Sequence, residues 1–256
     1  IETEINASGP TVEKDDIEKL YVKLEHLTDG DVLILSGSMA AGVDQNFYAD
    51  VMKFLAGRKI RIIVDAGGSV LKTVLPYCPY LIKPNQKELS EIFGVAVLGN
   101  QMEEYACKLV SMGAQNVLVS LGNQGAFLVN HKVYRCSAPS GEVINSVGAG
   151  DSMVAAFLTS KLNGEDDQTA LEKSVAMGSA TAFSYGIAEQ EAVDILYKEI
   201  NNVVKAYPYG HRNTLLSKSA SEVGVGVTIS NGVVSVVQHQ NHSGSFQGVT
   251  PIPSVY

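Results

Sequence analysis

Val32-Leu33-Ile34-Leu35, then Phe47 to Leu55, then Ile60-Arg61-Ile62-Ile63-Val64 make one unit: an apolar run, a segment with helical spacing, and a second apolar run. Each run is too short for a helix and too continuously apolar for a half-exposed strand, so each reads as a strand covered on both faces. The pattern repeats downstream. Val70 to Leu75 reads as helix, Tyr80-Leu81-Ile82 as strand, Lys87 to Phe93 and Glu103 to Met112 as helices, and Val117 to Leu121 as strand. Two short strands, Ala126 to Val129 and Lys132 to Arg135, flank Asn130-His131, and helices are expected over 149–162 and 166–185. Upstream, Ile1 to Ile5 alternates like a strand already under way, Gly9-Pro10-Thr11 gives a turn, and Ile17, Leu20, Leu24 and Leu27 mark one face of a helix. Strands separated by helices predict an α/β fold with a mainly parallel, doubly wound sheet and helices on both faces.

Composition bounds the function. The 256 residues are 45% apolar and 18% charged, which supplies one sizeable core. A net charge of -8 without any block of Lys or Arg argues against nucleic acid or an anionic membrane surface as partner, while a small anionic substrate stays open. No apolar run reaches the ~20 residues that span a bilayer, and a cytoplasmic protein is expected. Cys78, Cys107 and Cys136 fall in no metal-binding spacing and read as reduced, buried thiols. From about Lys205 the chain turns to Gly, Ser, Val, Asn and Gln, with Asn231-Gly232 between apolar stretches as a hairpin turn. Two regions are expected on this basis, residues 1–204 and an unassigned tail over 205–256.

The run Val147-Gly148-Ala149-Gly150-Asp151-Ser152 leads from a glycine turn into an apolar helix. The amides of Gly148, Ala149 and Gly150 at a helix N-terminus make an anion hole, and Asp151 beside it is placed to take a proton from a hydroxyl. Spacing alone equally allows an ordinary first-turn acid behind a strand-to-helix connection. The glycines fit neither GxGxxG nor GxxxxGK[ST], and GxSxG is absent. Asn85 and Glu88 stand three apart at a helix start, which suits oxygen ligation of magnesium and suits a plain helix cap as well. Ser120-Leu121-Gly122-Asn123-Gln124-Gly125 closes a strand at the sheet's carboxyl edge, where ligands collect, and also reads as a tight hairpin. Asp65-Ala66-Gly67-Gly68 ends another strand there, with Asp65 a second acid or a turn residue. The small residues around Gly178 read as helix packing or as the wall of a base pocket. His26 and His131 stand alone and His211, His239 and His242 lie in the tail, so a histidine metal site is not expected.

Asn145 to Phe157, with the Asn85-x-x-Glu88 and Ser120 to Gly125 segments in matching order and spacing, resembles the ribokinase-like PfkB carbohydrate kinases from the first residues to about residue 204. The resemblance implies that Asp151 is the catalytic base, that Asn85 and Glu88 organise Mg²⁺ through water, and that Lys83, Ser120, Leu121, Gly122, Asn123, Gln124, Gly125 and Gly150 border ATP. Glu2 to Pro10 together with Leu35 to Ser38 resembles the 1-phosphofructokinase branch. The implied reaction takes fructose 1-phosphate to fructose 1,6-bisphosphate; a tagatose-6-phosphate kinase and a non-catalytic nucleotide or sugar-phosphate binding module are the alternatives. The implied partner is a small-molecule sugar phosphate, with a second copy of the chain as a candidate. Measured against that family, the N-terminal part of the fold is expected to be missing, with its acidic sugar-binding residue and much of a lid. Weak or no activity of the 256 residues alone and an exposed strand edge are expected to follow.

Overall fold

The computed structural model describes residues 11–201 and the strands 226–230 and 233–237. The strand expected at 1–5, the turn at Gly9-Pro10, the Asn231-Gly232 turn and the three tail histidines lie outside the described residues. The elements in chain order are α1 (Lys14–Glu25), β1 (Val32–Ser36), α2 (Phe47–Phe54), β2 (Arg61–Asp65), α3 (Gly68–Val74), β3 (Leu81–Ile82), α4 (Gln86–Phe93) and α5 (Met102–Ser111). There follow β4 (Val117–Ser120), β5 (Ala126–Val129), β6 (Val133–Cys136), α6 (Ala149–Leu162), α7 (Asp167–Ala182), α8 (Gln190–Asn201), β7 (Gly226–Ser230) and β8 (Val233–Val237).

Strands run β6-β5-β4-β3-β2-β1-β8-β7 across one sheet. Successive neighbours from β1 to β4 pair in parallel, so Ser36, Asp65 and Ser120 end their strands at one edge, with Lys83 just beyond β3. β5 and β6 turn back antiparallel. The continuous apolarity of the strands divides cleanly between two layers. Leu33, Leu35, Ile62, Val64, Val117 and Val119 pack with α1 to α5, while their alternates Val32, Ile63 and Leu118 pack with α6 and α7. Two covered faces are what a doubly wound sheet requires, and the expected architecture is present.

Three differences from the sequence reading have physical causes. α8 was not anticipated, although Val193, Leu196, Tyr197 and Ile200 recur at helical spacing; Val193 and Tyr197 close a satellite core with Ala176 and Ala180 of α7. The tail does not stand apart from the sheet in its described strands. β7 and β8 form the expected antiparallel pair, and β8 adds in parallel to β1, with Val32 opposite Val233 and Ser36 opposite Val237. A strand edge presents a row of unpaired amides and carbonyls, and on β1 that row is occupied by β8 rather than left open. Cys78 and Cys107 are exposed, and of the three thiols Cys136 alone is buried, its thiol pushed up to about 12 by burial and then by Glu172. Among the described residues no helix is long and apolar enough to cross a membrane.

α6 carries the strand-to-helix glycine turn, so its seating on the sheet governs everything at its N-terminus. Phe157 anchors it and is fully buried among Leu81, Leu118 and Leu128. Phe157→Ala is expected to cost about 3–5 kcal/mol in a urea titration followed by circular dichroism.

Candidate active site

The carboxyl ends of β2, β3 and β4 and the N-terminus of α6 meet at one place. Asp65, the last residue of β2, pairs with Lys83 at 3.3 Å; Lys83 is buried and Asp65 keeps a small exposed fraction. The backbone of Asp65 is itself held, its carbonyl accepting the Gly37 N–H at 2.9 Å. Beyond the pair lies Gly150, in the first turn of α6. A β-carbon there would lie 2.8 Å from Lys83 Nζ, so the absent side chain is what lets the ammonium reach the helix terminus. Burial alone would lower the Lys83 pKa, but Asp65, Glu88 and Asp151 together overcome it and hold the amine above its ordinary value. Burial pushes the Asp65 carboxyl up against the pull of Lys83, with Asp151 adding to the rise.

Asn85 and Glu88 realise the helix-cap reading of their spacing. The Asn85 side chain accepts the Glu88 N–H at 2.9 Å and the Glu88 carboxylate accepts the Asn85 N–H at 2.9 Å, a complete capping box on α4. Asn85 also pairs with Ser120 across the sheet edge, which brings the loop after β4 alongside. Glu88 is half-buried, and its pKa is raised by burial and by Asp65 despite the Asn85 N–H and Lys83. Three carboxylates, Asp65, Glu88 and Asp151, thus act on a single buried ammonium. Among the described residues no group of three or more His, Cys, Asp or Glu side chains comes together to hold a metal ion, so a Mg²⁺ ion at Asn85 and Glu88 would have to keep most of its waters.

The glycine turn is built from within. The Asn145 side chain accepts the Val147 N–H at 3.0 Å, and the Ile144 and Asn145 amides bond the Ala182 carbonyl at the end of α7. Gly148 caps α6 in the left-handed region at φ 81°, which favours glycine. Asp151 is exposed on the first turn, open to a substrate. The Ala149 N–H is directed to the Ser146 carbonyl at 3.2 Å, so among the three expected anion-hole amides it is already engaged within the turn.

In the Ser120 to Gly125 segment, Gly122–Gln124 form an exposed helical turn, while Leu121 packs against the core on the α1 to α5 side. Gly125 is buried, with the Cys136 carbonyl 2.1 Å from where its β-carbon would lie, a packing duty in the β4-β5 hairpin. A cleft of about 650 Å³ opens beside this turn, lined by Asn85, Ser120, Leu121, Gly122 and Gln124 with Val97, Leu98 and Met102. Gly178 is a packing residue: its missing side chain makes room for Met153 at 2.6 Å and the Ala149 carbonyl at 3.2 Å, seating α7 against the start of α6.

The sequence reading left Asp65 between acid and turn, and its bond to Lys83 had no local signal. The Tyr48 hydroxyl donates to the Ser36 carbonyl at 2.7 Å, and burial followed by the charge of Asp65 pushes its pKa well up. Polar residues at the ends of adjacent parallel strands, Ser36, Asp65 and Lys83, are the one pattern that would have pointed to this contact.

A family model described as pfkB family carbohydrate kinase matches residues 1–192. The 1-phosphofructokinase of Bacillus subtilis is 36% identical over 201 residues, covering 78% of this chain and 66% of that protein. The D-tagatose-1-phosphate kinase of Bacillus licheniformis is 34% identical over 196 residues, 75% of this chain and 64% of that protein. Among solved structures, phosphofructokinase-2 from Escherichia coli in complex with substrates and products matches with a TM-score of 0.73 at 28% identity, over 76% of this chain and 65% of that one. The chain spans slightly less than two thirds of the length of these relatives.

Proposed function

This chain belongs to the pfkB family of carbohydrate kinases, and on that premise we propose that its site transfers the terminal phosphoryl group of ATP to the free primary hydroxyl of a ketohexose 1-phosphate. The observation that carries the reading is the convergence of Lys83, Glu88 and Asp151 beside the Gly148–Gly150 turn at the N-terminus of α6. A phosphoryl group in flight needs cationic and amide donors around its equatorial oxygens and a base on the attacking hydroxyl. Lys83 and the amides of Gly148 and Gly150 supply the first, and the exposed Asp151 supplies the second. Asp151 takes the hydroxyl proton as the sugar oxygen bonds phosphorus and the bond to the β-phosphate oxygen breaks, releasing ADP.

The exposed turn at Gly122–Gln124 borders the nucleotide, and Asn85 and Glu88 would hold Mg²⁺ through its waters. When bound, the ion neutralises charge on the phosphates. Fructose 1-phosphate is the favoured acceptor, supported by the 1-phosphofructokinase relative, and tagatose 1-phosphate is the second, supported by the D-tagatose-1-phosphate kinase relative.

A coupled assay of ATP consumption across fructose 1-phosphate, tagatose 1-phosphate, tagatose 6-phosphate, fructose 6-phosphate and ribose tests the acceptor. Turnover with a ketose 1-phosphate is expected, weak or absent in the 256 residues alone and full in a chain of the relatives' length. Turnover confined to ribose or a 6-phosphate contradicts the acceptor, and ATP binding with no turnover on any sugar in either form favours a binding module. Asp151→Asn is expected to keep ATP binding while turnover drops by ~10²–10⁴-fold, the usual worth of a general base. Full activity in that variant excludes the assigned base. Glu88→Gln is expected to raise the Mg²⁺ concentration giving half-maximal rate, and an unaltered metal dependence counts against the proposed ion site.

A further inference from the structure

We infer that Asp65 is a positioning residue for phosphoryl transfer: its carboxylate holds the Lys83 ammonium against Gly150, aimed at the nucleotide phosphates and away from Glu88 and Asp151. The inference rests on the reading of this edge as a phosphoryl-transfer site. Lys83 has three carboxylates within electrostatic reach, and two of them are assigned other work. Contact with Asp151 would occupy the base, and contact with Glu88 would occupy the acid assigned to the cation. The ion pair the structure forms is with the third, at 3.3 Å. Asp65 also acts on Lys83 more strongly than Glu88 or Asp151 does.

The geometry makes this orientation rigid. Asp65 sits on the last residue of a central strand, its carbonyl tied to the Gly37 amide at 2.9 Å, so its carboxylate projects from a fixed point. Lys83 follows immediately on β3, between β2 and β4, and is only 7% exposed. On the far side, the missing β-carbon of Gly150 leaves Nζ its place at the first turn of α6. The ammonium is therefore clamped between a carboxylate and a helix N-terminus. An anion arriving at that terminus meets a cation already oriented, which lowers the ordering cost of binding.

A pair that served only as a strut between β2 and β3 would give the same distance, so the test separates the two roles. Binding of ATP with Mg²⁺ and binding of adenosine are measured on the 256-residue chain, unaltered and as Asp65→Asn, Asp65→Glu, Lys83→Met and Asp65→Asn/Lys83→Met. Circular dichroism checks each fold. Asp65→Asn and Lys83→Met are each expected to weaken ATP by about tenfold or more, the scale of a charge-assisted contact, with adenosine changed by less than about twofold. Asp65→Glu is expected to recover part of the loss, and the double variant to bind ATP no more weakly than Lys83→Met. Equal weakening of ATP and adenosine in Asp65→Asn, or independent additive losses in the double variant, overturns the inference. Where Asp65→Asn does not fold, the double variant, which leaves no uncompensated buried charge, decides it against Lys83→Met alone. An unaltered chain that binds no ATP contradicts the nucleotide site and the inference together, whereas additivity in a chain that binds ATP overturns the inference alone.

Discussion

An ammonium taken out of water must be neutralised, and in this protein Asp65 does so for Lys83 at the carboxyl edge of a parallel sheet. Removing one member of such a pair typically costs about 3–5 kcal/mol, because it strands the other charge. The surrounding features depend on that contact. It joins the ends of β2 and β3, it requires a residue without a side chain at position 150, and it sets a positive charge beside the first turn of α6. Asp151 and Glu88 add negative charge around the same ammonium. The carboxylates thus outnumber the ammonium at this edge.

The architecture that presents this edge was largely legible in the sequence, for a simple reason. Strands covered on both faces have to be apolar at every position, and Leu33 with Val64 on one side and Val32 with Ile63 on the other meet that demand. Helices were legible wherever an apolar stripe was regular, as in α1 with Leu20 and Leu24. α8 carries an equally regular stripe but follows a polar, glycine-containing turn near the change in composition, which drew attention away from it. The pairing of β8 with β1 is a non-local choice made by an open strand edge, and nothing in residues 233–237 themselves names their neighbour.

At the site, what was local could be read and what was tertiary could not. The Asn85–Glu88 capping box is a matter of spacing within one helix turn, and it is complete. Gly148 had a local signature as well, a glycine just ahead of a helix. By contrast the Asp65 to Lys83 bond, the Tyr48 hydroxyl on the Ser36 carbonyl and the fit of Lys83 over Gly150 connect different strands and helices. Gly125 illustrates the same limit. The β4-β5 hairpin approaches the Cys136 carbonyl so closely there that a β-carbon would not fit, a tertiary contact that the Ser120 to Gly125 segment does not announce.

The central claim is that the cation held by Asp65 and the N-terminus of α6 form one phosphate site. A crystal structure of the chain with Mg²⁺ and a non-hydrolysable ATP analogue tests it most directly. The account predicts the terminal phosphate within about 3 Å of both Lys83 Nζ and the Gly150 amide, a normal hydrogen-bond reach, with Asp151 facing the same phosphorus from the solvent side. An analogue bound with its phosphates elsewhere, leaving Lys83 and the start of α6 untouched, would contradict it.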